Sequence, residues 1–150
     1  MKHEQAGTAL VEFALILPLL LILTFITTEF SRALYQYNTL TKSVRDAARY
    51  LSTQSPGTKI TESKNLVVYG NLANSGVPLA LGLALDQVKD PVWQLNGANP
   101  VINTVTVKIA GCATSAPPCY KFVPLINSAF GLTFGTVNYA DITATMRGPL

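Results

Sequence analysis

Gly7 and Glu12, set in QAGTALVEFALILPLLL, are the residues whose types and spacing most suggest chemistry in this sequence. Glu12 stands near the start of a stretch that otherwise reads as membrane-spanning, where an acid costs roughly 2–4 kcal/mol on insertion. A carboxylate in that position calls for a cation. That cation would have to be an ammonium placed beside the acid, on its own chain or on a neighbouring one. Such a pair between neighbours would fix the axial register of bundled helices.

The rest of the inventory is sparse. Cys112 and Cys119 are the two cysteines, separated by six residues in GCATSAPPCY. That gap exceeds the two to four residues of common zinc knuckles, and no second Cys or His pair could complete four ligands, so a metal site is not expected. A proline-containing loop between strand-like segments suits a disulfide in an oxidising, extracytoplasmic compartment, with two free thiols as the other state. The one histidine, His3, lies at the extreme N-terminus, which leaves no material for a His-based metal or general-base site. Glu62, Asp86, Asp90 and Asp141 are scattered without partners at catalytic spacing, and there is no GxSxG motif. No catalytic residue, enzyme activity or cofactor is therefore expected. The net charge of +3 is slight, and Lys42, Arg45 and Arg49 interleave with Asp46 as on a solvated helix face. Nucleic acid is not an expected partner.

The elements that must position these residues begin with the apolar run. No charge occurs between Glu12 and Glu29, and Thr8 to Thr28 as a helix would extend ~31 Å, enough for a ~30 Å hydrocarbon core. Pro18 inside it should remove one backbone hydrogen bond and bend the helix. From Phe30 the apolar residues continue as Ala33, Leu34, Tyr37, Leu40, Val44, Ala47, Ala48 and Leu51, the spacing of an amphipathic helix. That helix should end near Pro56-Gly57. Phe30, Tyr35 and Tyr37 could form an interfacial aromatic belt or pack on a globular domain.

Past the break, TESKNLVVYGN suits a short second helix stopped by Gly70, and NSGVPLALGLALDQV suits irregular structure. VWQLN, VINTVTVKIAG, CYKFVPLI and VNYADITATMR read as strands, with a turn at residues 96–100 and a helical turn at PLINSAFG. Trp93 is expected in the core. The fold class is α+β: a long N-terminal helix, half transmembrane and half amphipathic, packed on a small antiparallel sheet of three or four strands. The 150 residues divide into a leader at 1–7, a transmembrane helix at 8–28, its amphipathic extension at 29–54 and an extracytoplasmic domain at 55–150.

Residues 1–28 admit a secretory signal peptide, an uncut anchor or a processed membrane helix. The nearest small-x-small cleavage pattern, Ser31-Arg32-Ala33, falls inside the continuing helix and disfavours the first. A polar leader ending in Gly, four small or apolar residues, Glu-Phe and a long apolar run resemble the type IV prepilin processing site. More narrowly, Gly7 to Pro18, Glu29-Phe30-Ser31-Arg32 and Arg45-Asp46-Ala47-Ala48-Arg49-Tyr50-Leu51 resemble the TadE-type minor pilins, or pseudopilins, of Tad (Flp) pilus systems. Ser31 stands where glycine is common in that pattern. Outside these motifs the likeness is looser: a V-x-V strand, Pro124-Leu125 and a last strand ending in Met146-Arg147.

The resemblance implies a pilin-like fold and a structural role in pilus assembly, adhesion or secretion. It implies that Gly7 and Thr8 flank a cleaved bond and that Glu12 and Phe13 are motif residues. The implied partners are a prepilin peptidase, other pilins, Tad secretion components and membrane lipid. It further implies a single-pass protein of the bacterial cytoplasmic (inner) membrane, with its N-terminus in the cytoplasm and its C-terminal domain in the periplasm or outside. Charge bias alone, with Lys2 before the span and Arg32, Lys42 and Arg45 after it, would favour the reverse orientation. The processing motif and the cysteine pair decide for the first. The alternative function is an uncleaved, membrane-anchored binding protein with an exported domain.

Overall fold

The computed structural model describes residues 4–148, with side chains described from Gly7 onward. Lys2 and His3, counted above in the leader, lie outside the described residues. The fold is α+β, with a long N-terminal apolar helix, α1 (Glu4–Leu51), and a small antiparallel sheet. A second helix, α2 (Ile60–Tyr69), follows, and then seven strands: β1 (Val88–Asn96), β2 (Ile102–Ile109), β3 (Lys121–Phe122), β4 (Ser128–Ala129), β5 (Leu132–Thr133), β6 (Val137–Asn138) and β7 (Ile142–Arg147). By contact the chain divides into two units, one of residues 1–34 with 124–135 and one of residues 35–123 with 136–150.

In the first unit α1 is uninterrupted across Pro18. Its hydroxyls bond back to the helix's own carbonyls, Thr24 to Leu21 at 2.8 Å, Thr28 to Thr24 at 2.7 Å and Ser31 to Thr27 at 2.7 Å. That arrangement leaves no hydroxyl of the three asking for water, as an apolar solvent requires. Most of its large apolar side chains are open, Leu10 at 70%, Leu15 at 75% and Leu19 at 68%. The less exposed residues, Pro18, Leu21, Ile22, Phe25, Glu29, Arg32 and Ala33, recur at three- and four-residue spacing and so share one face.

The rest of this unit is a hairpin in which β4 pairs with β5, Ser128 opposite Thr133 and Ala129 opposite Leu132. Its turn is Phe130-Gly131, both at positive φ (51° and 80°). The helical turn expected at PLINSAFG is thus a β-hairpin. Two successive left-handed residues form a two-residue hairpin turn and cannot continue a helix.

In the second unit Leu40, Val44, Ala47, Ala48 and Leu51 of α1 are buried with Val67 and Val68 of α2 and with Val88, Val105, Val107, Ile109 and Ile142 of the sheet. The sheet order is β1-β2-β7, all antiparallel, and the register sets Val105 opposite Met146, Val107 opposite Ala144 and Ile109 opposite Ile142. Alternation along β2 is strict, with Asn103, Val105, Val107 and Ile109 buried and the residues between them partly exposed. A bulge between Lys89 and Val92 absorbs Pro91, which has no N–H to give a ladder. Helix α1 stops at Leu51, and α2 runs to a left-handed Gly70 whose N–H returns to the Leu66 carbonyl. Trp93 is half-buried and packs against the core's edge.

Two expected strands are shorter than their sequences suggested. CYKFVPLI forms only β3, because Pro124 has no N–H to offer a ladder and the Leu125 N–H goes to the Glu29 carboxylate at 3.4 Å. VNYADITATMR breaks at residues 139–141, where the Tyr139 carbonyl accepts from the Ala113 N–H and Asp141 turns to a neighbouring loop.

Candidate functional site

The residues expected to be processed occupy the first turns of α1. Gly7 is helical, and a Cβ there would meet nothing within 4 Å. The Gly7–Thr8 bond therefore lies in helical backbone in the uncut chain, and a glycine at that point weakens the helix by about 1 kcal/mol relative to alanine. Thr8 and Glu12 stand at i and i+4, one above the other on the same face. Glu12 is exposed and makes no ion pair among the described residues, and Phe13 is 59% exposed. A carboxylate displayed on an apolar helix surface is open to a cation from outside the described residues.

Glu29, the next acid along the helix, has the opposite environment. It is buried at 8% exposure, ion-paired to Arg32, and takes the Leu125 N–H. In the sequence Glu29 stands only as the charge that ends the apolar run and as the first residue of Glu29-Phe30-Ser31-Arg32. Its i,i+3 arginine was the available signal for the ion pair. Its bond to a residue nearly a hundred positions away had none.

The second group of functional residues surrounds the cysteines. A disulfide joins Cys112 to Cys119, with Cα atoms 5.0 Å apart. Asp141 organises the loop it closes: its carboxylate accepts from the Gly111 N–H at 3.0 Å, the Thr114 hydroxyl at 2.7 Å, the Ser115 hydroxyl at 2.8 Å and the Lys108 ammonium at 3.0 Å. The Asp141 N–H donates in return to the Thr114 hydroxyl. The backbone bond from Gly111, followed by the hydroxyl bonds, holds the Asp141 carboxyl well below the usual carboxylate range.

Gly111 is required there, since a Cβ would collide with the carbonyls of Tyr139 and Ala140. Behind the loop, Tyr120 is buried, donates its hydroxyl to Gln36 of α1 at 2.9 Å and stacks on Tyr139 at 5.8 Å. Tyr139 also meets Tyr37 of α1 at 5.6 Å, and burial raises the Tyr139 phenol above its ordinary pKa. The loop borders an open cleft of ≈ 420 Å³ lined by residues including Gln87, Pro118 and Lys121.

Gly7, Thr8, Glu12 and Phe13 fall in one unit and the cysteines in the other. Asp141 was not singled out in the sequence because its partners, two loop hydroxyls, a backbone amide and the Lys108 ammonium, lie 26 to 33 residues away along the chain. The hydroxyl-rich GCATS segment was the only hint. Among the described residues no group of His, Cys, Asp or Glu is placed to hold a metal ion.

These features define a class: an α+β protein whose N-terminal helix is long and apolar enough to cross a membrane, attached to a small disulfide-closed domain. Comparison with known families specifies it further. Residues 7–49 match the family of TadE-like proteins, so over that segment the chain is similar to TadE-like proteins. No curated protein and no solved structure matches the chain.

Proposed function

We propose that this chain is a minor pilin, or pseudopilin, subunit of a Tad (Flp) type IV-like pilus. A prepilin peptidase removes residues 1–7, and the chain begins thereafter at Thr8. The observation that carries this is the position of Gly7-Thr8 and Glu12-Phe13 at the head of the segment that matches TadE-like proteins. Residues 8–28 cross the cytoplasmic membrane with the N-terminus inside. Residues 29–54 extend toward the exported domain at 55–150, whose Cys112–Cys119 bridge suits an oxidising compartment.

The mechanism is structural. Cleavage places an ammonium at the new N-terminus of the helix, and that terminus also presents the positive end of the helix dipole. Glu12 lies one turn away and exposed, so it can neutralise the amine of its own chain or of the adjacent subunit. Either pairing lowers the cost of a carboxylate in lipid, and pairing between subunits sets their register. The open leucines and isoleucines between residues 10 and 26 supply the lateral packing surface for other pilin helices.

Glu12→Ala tests the role of the acid. In cells with the pilus machinery the variant is cleaved normally but enters sheared fibres far less than the parent. Incorporation equal to the parent's would contradict a register role.

A further inference from the structure

We infer that the Pro124–Gly135 hairpin is a second membrane-contacting element, its Phe130 tip entering the acyl region of the extracytoplasmic leaflet beside α1. The inference rests on the membrane-spanning reading of residues 8–28 proposed above. Its first support is placement. Residues 124–135 form one compact unit with residues 1–34, not with the soluble core, and the Leu125 N–H is fastened to Glu29 at 3.4 Å.

Reach supplies the second support. The half-buried face of α1 in this unit extends from Ala33 back to Pro18, and Pro18 lies ~16 Å along the axis from Glu29. The five residue steps from Leu125 to Phe130 can reach at most about 16 Å, the same length as that stretch of the helix.

Composition supplies the third. No charged residue occurs from Phe122 to Ala140, and Leu125, Phe130 and Leu132 are 66%, 59% and 48% exposed. Water-facing hairpin edges ordinarily carry charge, whereas this one displays apolar side chains beside a lipid-facing helix.

The turn itself is the fourth. A two-residue turn with both residues at positive φ favours Asn-Gly or Asp-Gly, yet the first position is Phe130 at φ 51°. A bulky aromatic in the left-handed region is strained. An aromatic at the tip makes physical sense where the surroundings are acyl chains. The short ladder and the bond from the Phe134 N–H to the Asn127 carbonyl at 2.8 Å satisfy part of the backbone within the hairpin, which lowers the cost of bringing its tip into the acyl region.

The test uses the full chain in phosphatidylethanolamine–phosphatidylglycerol vesicles, with single tryptophans in a Trp93→Phe background and acyl chains with or without bromine. Phe130→Trp is expected to lose most of its emission to brominated chains, as Leu20→Trp in the span does, while Val77→Trp on the exposed domain surface keeps its own. Leu132→Trp repeats the measurement should the tip variant fail to fold. If Leu20→Trp is quenched and the hairpin tryptophans are not, the inference is overturned, whether they emit as in water or as if shielded by a second copy of the chain. Should Leu20→Trp also escape quenching, the membrane-spanning reading fails and the inference falls with it.

Discussion

Between Leu10 and Ile26 helix α1 leaves its apolar side chains open, Leu15 at 75% and Leu23 at 58%, whereas Leu40, Val44 and Leu51 further along the same helix are at 0%. The residue types are nearly the same in both halves. What differs is the solvent each half was built for. The second half buries one stripe and shows water its Lys42, Arg45, Asp46 and Arg49. The first half has no charged face to show, so its surface fits lipid or other apolar helices. One continuous helical backbone thus carries two opposed surface chemistries, the first on a helix long and apolar enough to cross a membrane.

The largest expected effect sharpens that contrast directly. Leu51→Ala should lower the unfolding free energy of the detergent-solubilised protein by about 3 kcal/mol, followed through Trp93 fluorescence in denaturant. Leu20→Ala should leave the same transition within ~0.5 kcal/mol, because it opens no cavity in a packed core. Equal losses from the two variants would break the comparison.

A smaller effect is expected at the disulfide loop. Asp141→Asn removes the charge from four accepted hydrogen bonds, from Gly111, Thr114, Ser115 and Lys108, and should cost about 1–2 kcal/mol in the same transition. The Asp141 carboxyl should also contribute to the acid sensitivity of the domain. Its folded pKa is lowered from 3.8, so the unfolded chain binds the proton more readily. The stability it contributes is complete above the ordinary carboxylate range and fades as pH falls below 3.8 toward the lowered folded value. A series of denaturation curves at decreasing pH should display that loss in the parent. The Asp141→Asn series should lack this part of the slope.

Much of the fold was legible because periodicity reports burial. The three-and-four spacing marked the core-facing stripe of α1 from Leu40 to Leu51, whereas Phe30, Leu34 and Tyr37, expected in the same stripe, are exposed. The alternation at Val105, Val107 and Ile109 marked the central strand in the same way. Gly70 announced the end of α2 because a left-handed residue is needed there.

The missed features depended on long-range pairing, which local pattern does not encode. PLINSAFG has the apolar spacing of a helical turn, and only the left-handed pair Phe130-Gly131 makes it a hairpin. Asp141 lies thirty residues beyond the Gly111 amide it binds, and Glu29 ninety-six residues before the Leu125 amide it accepts. At the N-terminus the position was reversed. Gly7, Thr8, Glu12 and Phe13 were legible as a local motif, and the helix adds that Thr8 and Glu12 share a face and that Glu12 is exposed.

The central claim is that this exposed acid awaits an amine made by cleavage. N-terminal sequencing of the protein recovered from the membrane fraction of cells with a prepilin peptidase tests it most directly. Chains beginning at Thr8 are the expected result, and chains beginning at Met1 would contradict the account.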